Sequence, residues 1–217
     1  MSASVGSTDD GKGRVALAEG HDVVMESALG QGEYRIRETV VELLEVQGYD
    51  AIQVREVARH ARVSLTKIYK LYGTRDELIL AALDWWMARN CYAGLAEYSA
   101  VSGESLHTAL MRVLRPIFEP WERHPGLLVA YFRARASASG ETLMSHGIEA
   151  VFPAAMAALE DVDLGFIRDL DAILTSLVYG LMGRFAAGEI AVTDIVPAID
   201  RTMFWLTAGY DTVRARP

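Results

Sequence analysis

The chain has one cysteine, Cys91, in 217 residues. A lone thiol excludes an intramolecular disulfide framework and a cysteine-built zinc site, and it suits a reducing compartment. The five histidines, His21, His60, His107, His124 and His146, show neither HxxxH nor HxH spacing. No metal and no cofactor is therefore expected. Long apolar runs are also missing. The longest uncharged stretch of the C-terminal half lies between Asp171 and Arg184 and is twelve residues, whereas a membrane-spanning helix needs about 20. The opening MSASVGSTDDGKGR has no apolar core and carries early acids, unlike a secretory signal. A cytoplasmic protein with no membrane partner is expected. No segment shows the period-2 alternation of a strand, so the fold class is all-α.

Against these absences stands a concentration of positive charge. From Ile52 to Arg75 there are six basic residues (Arg55, Arg59, Arg62, Lys67, Lys70 and Arg75) and one acid, Glu56, a local balance of +5. The whole chain carries −8, which leaves −13 on the remainder. An acidic protein that gathers cations on one small helical unit presents that unit to a polyanion, with DNA the leading candidate.

The periodicity around this window describes a helical head. Ile36, Val40, Leu43 and Leu44 form one apolar stripe, and Gly48 ends that helix. Ile52, Val54, Val57 and Ala58 mark a short second helix. Ser64 caps a third, with Ile68, Leu71 and Tyr72 inward and Leu65, Thr66, Lys67, Tyr69 and Lys70 outward. Thr74 and Glu77 form a capping box ahead of LILAAL, which predicts a long fourth helix to about Ala100. Further helices are expected near 104–119, 125–138, 141–159, 164–187 and 193–213. The domain reading is a mobile tail over 1–30, with a short helix around Val15 to Ala28, a helix-turn-helix head over 31–76 and a helical body over 77–217.

In a helix-turn-helix the second helix of the pair enters the major groove. Ser64 to Tyr72 is that helix here. Thr66 and Lys67 lie near its leading end and can reach base edges. Tyr69, Lys70 and Arg75 are phosphate contacts in this reading, with Ser64, Leu65 and Arg55 beside them. The same stretch contains a decoy: Ser64-Leu65-Thr66-Lys67 matches the S-x-x-K acylation motif. The S-D-N and K-T-G elements that chemistry needs are absent, and the body shows no Ser/His/Asp, paired-carboxylate or metal spacing. The chain is read as a non-enzyme.

From Tyr34 to Leu83 the sequence resembles the TetR family of bacterial transcription regulators. The likeness lies in the first helix ending at Gly48-Tyr49, in VREVARHARVS and in KIYKLYGTRDEL. Four positions depart from the family pattern: Gln53, Arg62, Thr66 and Gly73. A non-glycine residue at positive φ costs roughly 1 kcal/mol, so Arg62 implies a slightly altered turn. The body is similar to those of actinobacterial family members that control sterol and lipid catabolism, through His124-Pro125 with LLVAYFRARASAS and through ILTSLVYGLMGRFAAGEIAVTDI.

The resemblance implies a homodimer and an effector cavity. The helix from Asp169 to Ala187 is apolar nearly all round and must be covered on several sides. Ile173, Leu177, Gly180 and Arg184, with Ile199, Met203 and Leu206 from the last helix, are the expected dimer face, flanked by Phe204 and Trp205. Met and aromatic side chains line apolar pockets. Trp86, Asn90, Met111, Phe118, Trp121, Tyr131, Arg135, Met144, Phe152 and Tyr179 are the candidate effector-binding residues. His107, Arg133 and His146 are further polar groups able to orient a ligand. The resulting expectation is a dimeric repressor on a palindromic double-stranded operator, released by a small hydrophobic effector of lipid or acyl type. Two rivals stay open here. One is a helical lipid or small-molecule binding protein or enzyme with a vestigial head, and the other is a non-specific DNA-coating protein.

Overall fold

The computed structural model describes residues 30–137 and 140–215. The expected tail and its short helix lie outside them. Among the described residues there are nine α-helices and no strand: α1 (Gln31–Gln47), α2 (Val54–Ala61), α3 (Leu65–Tyr72), α4 (Arg75–Asn90), α5 (Leu106–Arg123), α6 (Pro125–Arg135), α7 (Gly140–Ala158), α8 (Leu164–Ala186) and α9 (Ile195–Arg214). Short 3₁₀ turns occupy Tyr49–Ala51 and Val192–Asp194. No described helix is long and apolar enough to cross a membrane.

The helix ends follow from local chemistry. Gly48, at φ 81°, stops α1. Ser64, Thr74, Ser105 and Asp163 each accept a backbone N–H at the start of a helix. Thr74 and Glu77 complete a reciprocal capping box, and such a cap contributes about 1 kcal/mol. Pro125 opens α6, where its missing N–H costs nothing. One expected boundary is corrected. The fourth helix ends at Asn90, not near Ala100, because Cys91 and Tyr92 both donate to Met87 O and the chain then turns through Gly94 to bury Leu95.

One hydrophobic core runs from the head (Ile36, Val57, Ile68) through α4 into the body (Leu127, Leu128, Ile199, Met203). A smaller cluster joins Leu95, Val113 and Ala154. α4 packs against α1 and α3 of the head and against α6 and α7 of the body, so the 76/77 division falls within a shared helix. Arg89 reinforces the α1–α4 contact: it donates to Tyr34 Oη at 3.2 Å and stacks on Trp85 at 4.7 Å. α6 is central, touching α1, α4, α5, α7 and α8.

Candidate nucleic-acid interface and body site

α2 and α3 meet at a turn in which Arg62 takes φ 55°, ψ 47°, the left-handed conformation. The arginine adopts the left-handed conformation that glycine favours. Its N–H bonds to Arg59 O, and Val63 N–H bonds to Ala58 O, and these bonds offset the strain of a non-glycine residue there. Beyond the turn, the Ser64 hydroxyl accepts from Lys67 N at 3.2 Å and starts α3. Ile68 and Tyr72 are buried beneath α3, and the Tyr72 phenol accepts from Arg37. Burial raises the Tyr72 phenol above its ordinary range. Leu71, expected inside, is 43% exposed, because α3 has one narrow buried stripe and Tyr72 with Ile68 fills it.

The outward face carries Thr66, Lys67, Tyr69 and Lys70, all exposed, with Leu65 half-buried at its leading end. Lys67 lies along the start of α1, where a methyl on Gly32 would meet its Nζ at 2.5 Å. Arg55, on α2, and Arg62 are exposed too. Among the described residues Arg55, Arg62, Lys67 and Lys70 have no ion-pair partner, whereas Arg59 is near Glu56. Arg35, on α1, is an exposed cation that the charge window missed because it lies before Ile52.

Arg75 is corrected. Its guanidinium turns inward, donating to Ile52 O at 2.9 Å, to Tyr49 O and to Asp76 at 2.7 Å. It also lies over the Tyr49 ring at 4.8 Å. All three nitrogens donate within the head, so Arg75 staples the 3₁₀ turn to α4.

In the body the structure brings several effector candidates together. The Trp86 and Trp121 rings are 4.6 Å apart, and Trp121 and Tyr131 are 5.5 Å apart. Met111 is buried and Phe118 packs on the same core. Arg135 stacks on Tyr179 at 4.9 Å. Burial pushes the phenols of Tyr131 and Tyr92 and the thiol of Cys91 upward, so all three stay neutral and Cys91 is no nucleophile. Trp85 Nε1 is buried with no hydrogen-bond partner among the described residues, a feature with no sequence signal.

Other candidates are placed elsewhere. Phe152 is 59% exposed; the α7 face bearing Ile148, Phe152 and Met156 turns outward because Leu143 and Ala154 hold the inner face. Met144 is half-buried on the same helix. Asn90 is exposed, and its amide donates to Trp86 O within its own helix. Tyr179 is 52% exposed at the α6–α8 seam, beside Phe132. His107, His146 and Arg133 are engaged by Asp200, Asp84 and Asp50 respectively.

Sequence comparison covers both halves. The family model described as "Bacterial regulatory proteins, tetR family" matches residues 36–82. The model "Tetracyclin repressor-like, C-terminal domain" matches residues 103–206. The chain belongs to the TetR family. It is similar to the HTH-type transcriptional repressor KstR of Mycobacterium tuberculosis, with 28% identity over 182 residues, 78% of this chain and 82% of that protein. It is also similar to an uncharacterised HTH-type transcriptional regulator from the dhlA 5′ region of Xanthobacter autotrophicus, 32% identical over 84 residues. That match covers 38% of this chain and spans 41% of the relative. The crystal structure of a TetR transcriptional regulator from Rhodococcus sp. RHA1 shares the fold, with a TM-score of 0.61 at 21% identity over 81% of this chain and 97% of that one.

As a TetR-family member the chain is a DNA-binding transcriptional regulator and not an enzyme. Dimers are typical of TetR regulators, which directs attention to α8 and α9. Ile173 is 40% exposed on α8, with Gly180 and Arg184 also exposed and Leu177 half-buried. The α9 part of the expected face is corrected. Ile199 and Met203 are buried, packed with α5 in the protomer's own core, and Leu206 is half-buried. At 3.6 residues per turn the opposite side of α9 carries Phe204 and Trp205, which are 49% and 68% exposed.

Proposed function

We propose that two copies of this chain act as a repressor on a palindromic operator, and that a small hydrophobic effector of lipid or acyl type releases it. The observation that carries the DNA half of this reading is the set of exposed cations, Arg55, Arg62, Lys67 and Lys70, around the outward face of α3, which have no ion-pair partner among the described residues. Cations without acid partners are available to neutralise phosphates. Thr66 and Lys67 at the leading end of α3 would read base edges, while Tyr69, Lys70 and Arg55 would fix the register. The α8–α9 surface bearing Ile173, Tyr179, Phe204 and Trp205 would be covered by the second copy. Pairing there sets two α3 helices to read half-sites about 34–36 Å apart. The Trp86–Trp121–Tyr131 cluster, bordered by Met111 and Phe118, would respond to the effector.

The test is binding of labelled DNA from upstream of the protein's own gene, against random DNA, at two salt concentrations, with Tyr69→Ala alongside. A specific complex that weakens with salt and with Tyr69→Ala is the expected result. Equal affinity for random DNA would return a non-specific binder.

A further inference from the structure

Lys67 is fixed at its backbone and adjustable at its tip. Its N–H donates to the Ser64 hydroxyl at 3.2 Å in the first turn of α3. The end of its side chain lies at the first turn of α1, in a hollow at Gly32. A Cβ built on Gly32 would be 2.5 Å from Lys67 Nζ, 3.4 Å from Lys67 Cε and 3.9 Å from Val63 Cγ1. Only a residue without a side chain leaves this hollow open. Gly32 sits inside α1, where glycine weakens a helix relative to alanine. The position uses the missing Cβ, not the conformational freedom of glycine.

Packing holds the lysine tip there, not charge. Lys67 has no ion-pair partner among the described residues. The first turn of α1 is the positive end of that helix, and Gly30 supplies no side-chain cap. An ammonium gains nothing from that neighbour, whereas its methylene stem gains by lying on Val63 and on the bare backbone of Gly32. Such a seat is shallow, and it competes with the groove, because a lysine whose tip rests on α1 is not at a base edge. Lys70, one turn further along α3, is exposed in the same way and meets none of the described glycines.

We infer that Gly32 is a specificity-determining residue of the DNA interface: its missing side chain gives Lys67 a second resting place, and occupancy of that place lowers what Lys67 contributes to operator recognition. This rests on the regulator reading above, with Lys67 reaching a base edge. A group that is only partly in its binding-competent position weakens binding by that fraction, so filling the hollow returns the lost affinity.

Gly32→Ala is the test. The helical backbone at this position accepts alanine, and the clashing atom is the far end of a flexible chain, so the melting temperature should be unchanged or higher. The readout is binding to labelled DNA from upstream of the protein's own gene, against random DNA. Gly32→Ala should bind that operator about threefold more tightly and random DNA no more tightly. The gain should persist in a Lys70→Ala background and vanish in a Lys67→Ala background, which assigns it to the Gly32–Lys67 pair. A gain of equal size in Lys67→Ala, or an unchanged or weakened operator complex in Gly32→Ala itself, overturns the proposal.

Nuclear Overhauser contacts between the Lys67 ε-methylene and the Gly32 α-protons, read in the free protein, separate the two ways to fail. Contacts present in a protein that binds no specific DNA would defeat the regulator reading and leave the seat standing. Contacts absent in a protein with a specific operator would defeat the seat and leave the regulator reading standing.

Discussion

The two ends of this molecule expose different chemistry. The head shows exposed cations, Arg55, Arg62, Lys67 and Lys70, that have no ion-pair partner among the described residues, around a compact helical pair. The body shows large apolar side chains, Ile173, Tyr179, Phe204 and Trp205 on α8 and α9, and Ile148, Phe152 and Met156 on α7. Charge left in water is available to a polyanion at little desolvation cost, and its attraction falls with salt. Apolar surface left in water favours a covering surface whatever the ionic strength. One chain therefore exposes two kinds of surface that respond to different conditions, and substitutions can address them separately.

The largest effect is expected inside the body. Trp121 is 4% exposed and touches both Trp86 and Tyr131. Trp121→Ala should cost about 3–5 kcal/mol in urea unfolding if the cluster is packed core. A cost below about 1 kcal/mol would mean that the ring borders space and that the body is built to admit a guest.

Next comes the covering surface. Trp205 is 68% exposed, so Trp205→Glu should leave the protomer's own packing intact. If α9 meets a second copy, sedimentation should show dimer association weakened by about 2–4 kcal/mol, as for a buried aromatic anchor. A dimer of unchanged affinity would place the interface elsewhere. It would also leave the Phe204–Trp205 pair as surface.

A smaller effect separates two head cations that look alike in the sequence. Lys67→Ala should weaken operator binding by about 1–3 kcal/mol if Lys67 reads a base, with altered sequence preference. Arg75→Ala should act differently. It removes three internal hydrogen bonds and frees the carbonyls of Tyr49 and Ile52, so it should lower the melting temperature and leave the salt slope of DNA binding unchanged. A reduced salt slope in Arg75→Ala would restore Arg75 as a phosphate contact.

That pair shows which features were legible. Ser64, Thr74-Glu77, Gly48 and Pro125 act on their immediate neighbours, so helix starts and stops could be read from short stretches. The helical head, its outward α3 residues and the all-α class follow from such signals. Arg75 could not be placed this way, because its acceptors lie 23 and 26 residues earlier in the chain. The same limit governed α9. Periodicity found the stripe Ile195, Ile199 and Met203 but could not say whether α5 or a second copy covers it. Phe152 and Asn90 lie on exposed helix faces, which could not be read because composition ranks residue types and is blind to which side of a helix faces inward. The approach of Lys67 to Gly32 has no local mark at all.

The smallest predicted effect asks whether head and body are separate in stability as well as in surface chemistry. Thr74 caps α4 at the head end, accepting from Glu77 N at 3.2 Å, while Glu77 accepts from Thr74 N at 3.1 Å. Thr74→Ala should cost about 1 kcal/mol and lower the melting temperature by about 2–4 °C for a chain of this size. The informative readout is where protection against hydrogen exchange is lost. Faster exchange confined to α1, α2, α3 and the first turn of α4 would mean that the head opens alone. Equal loss at Leu127 and Met203 would mean that the continuous core from Ile36 to Met203 unfolds as one unit. Displacement in the body could then reach the head only by moving helices, not by melting them, because any melting would take both halves together.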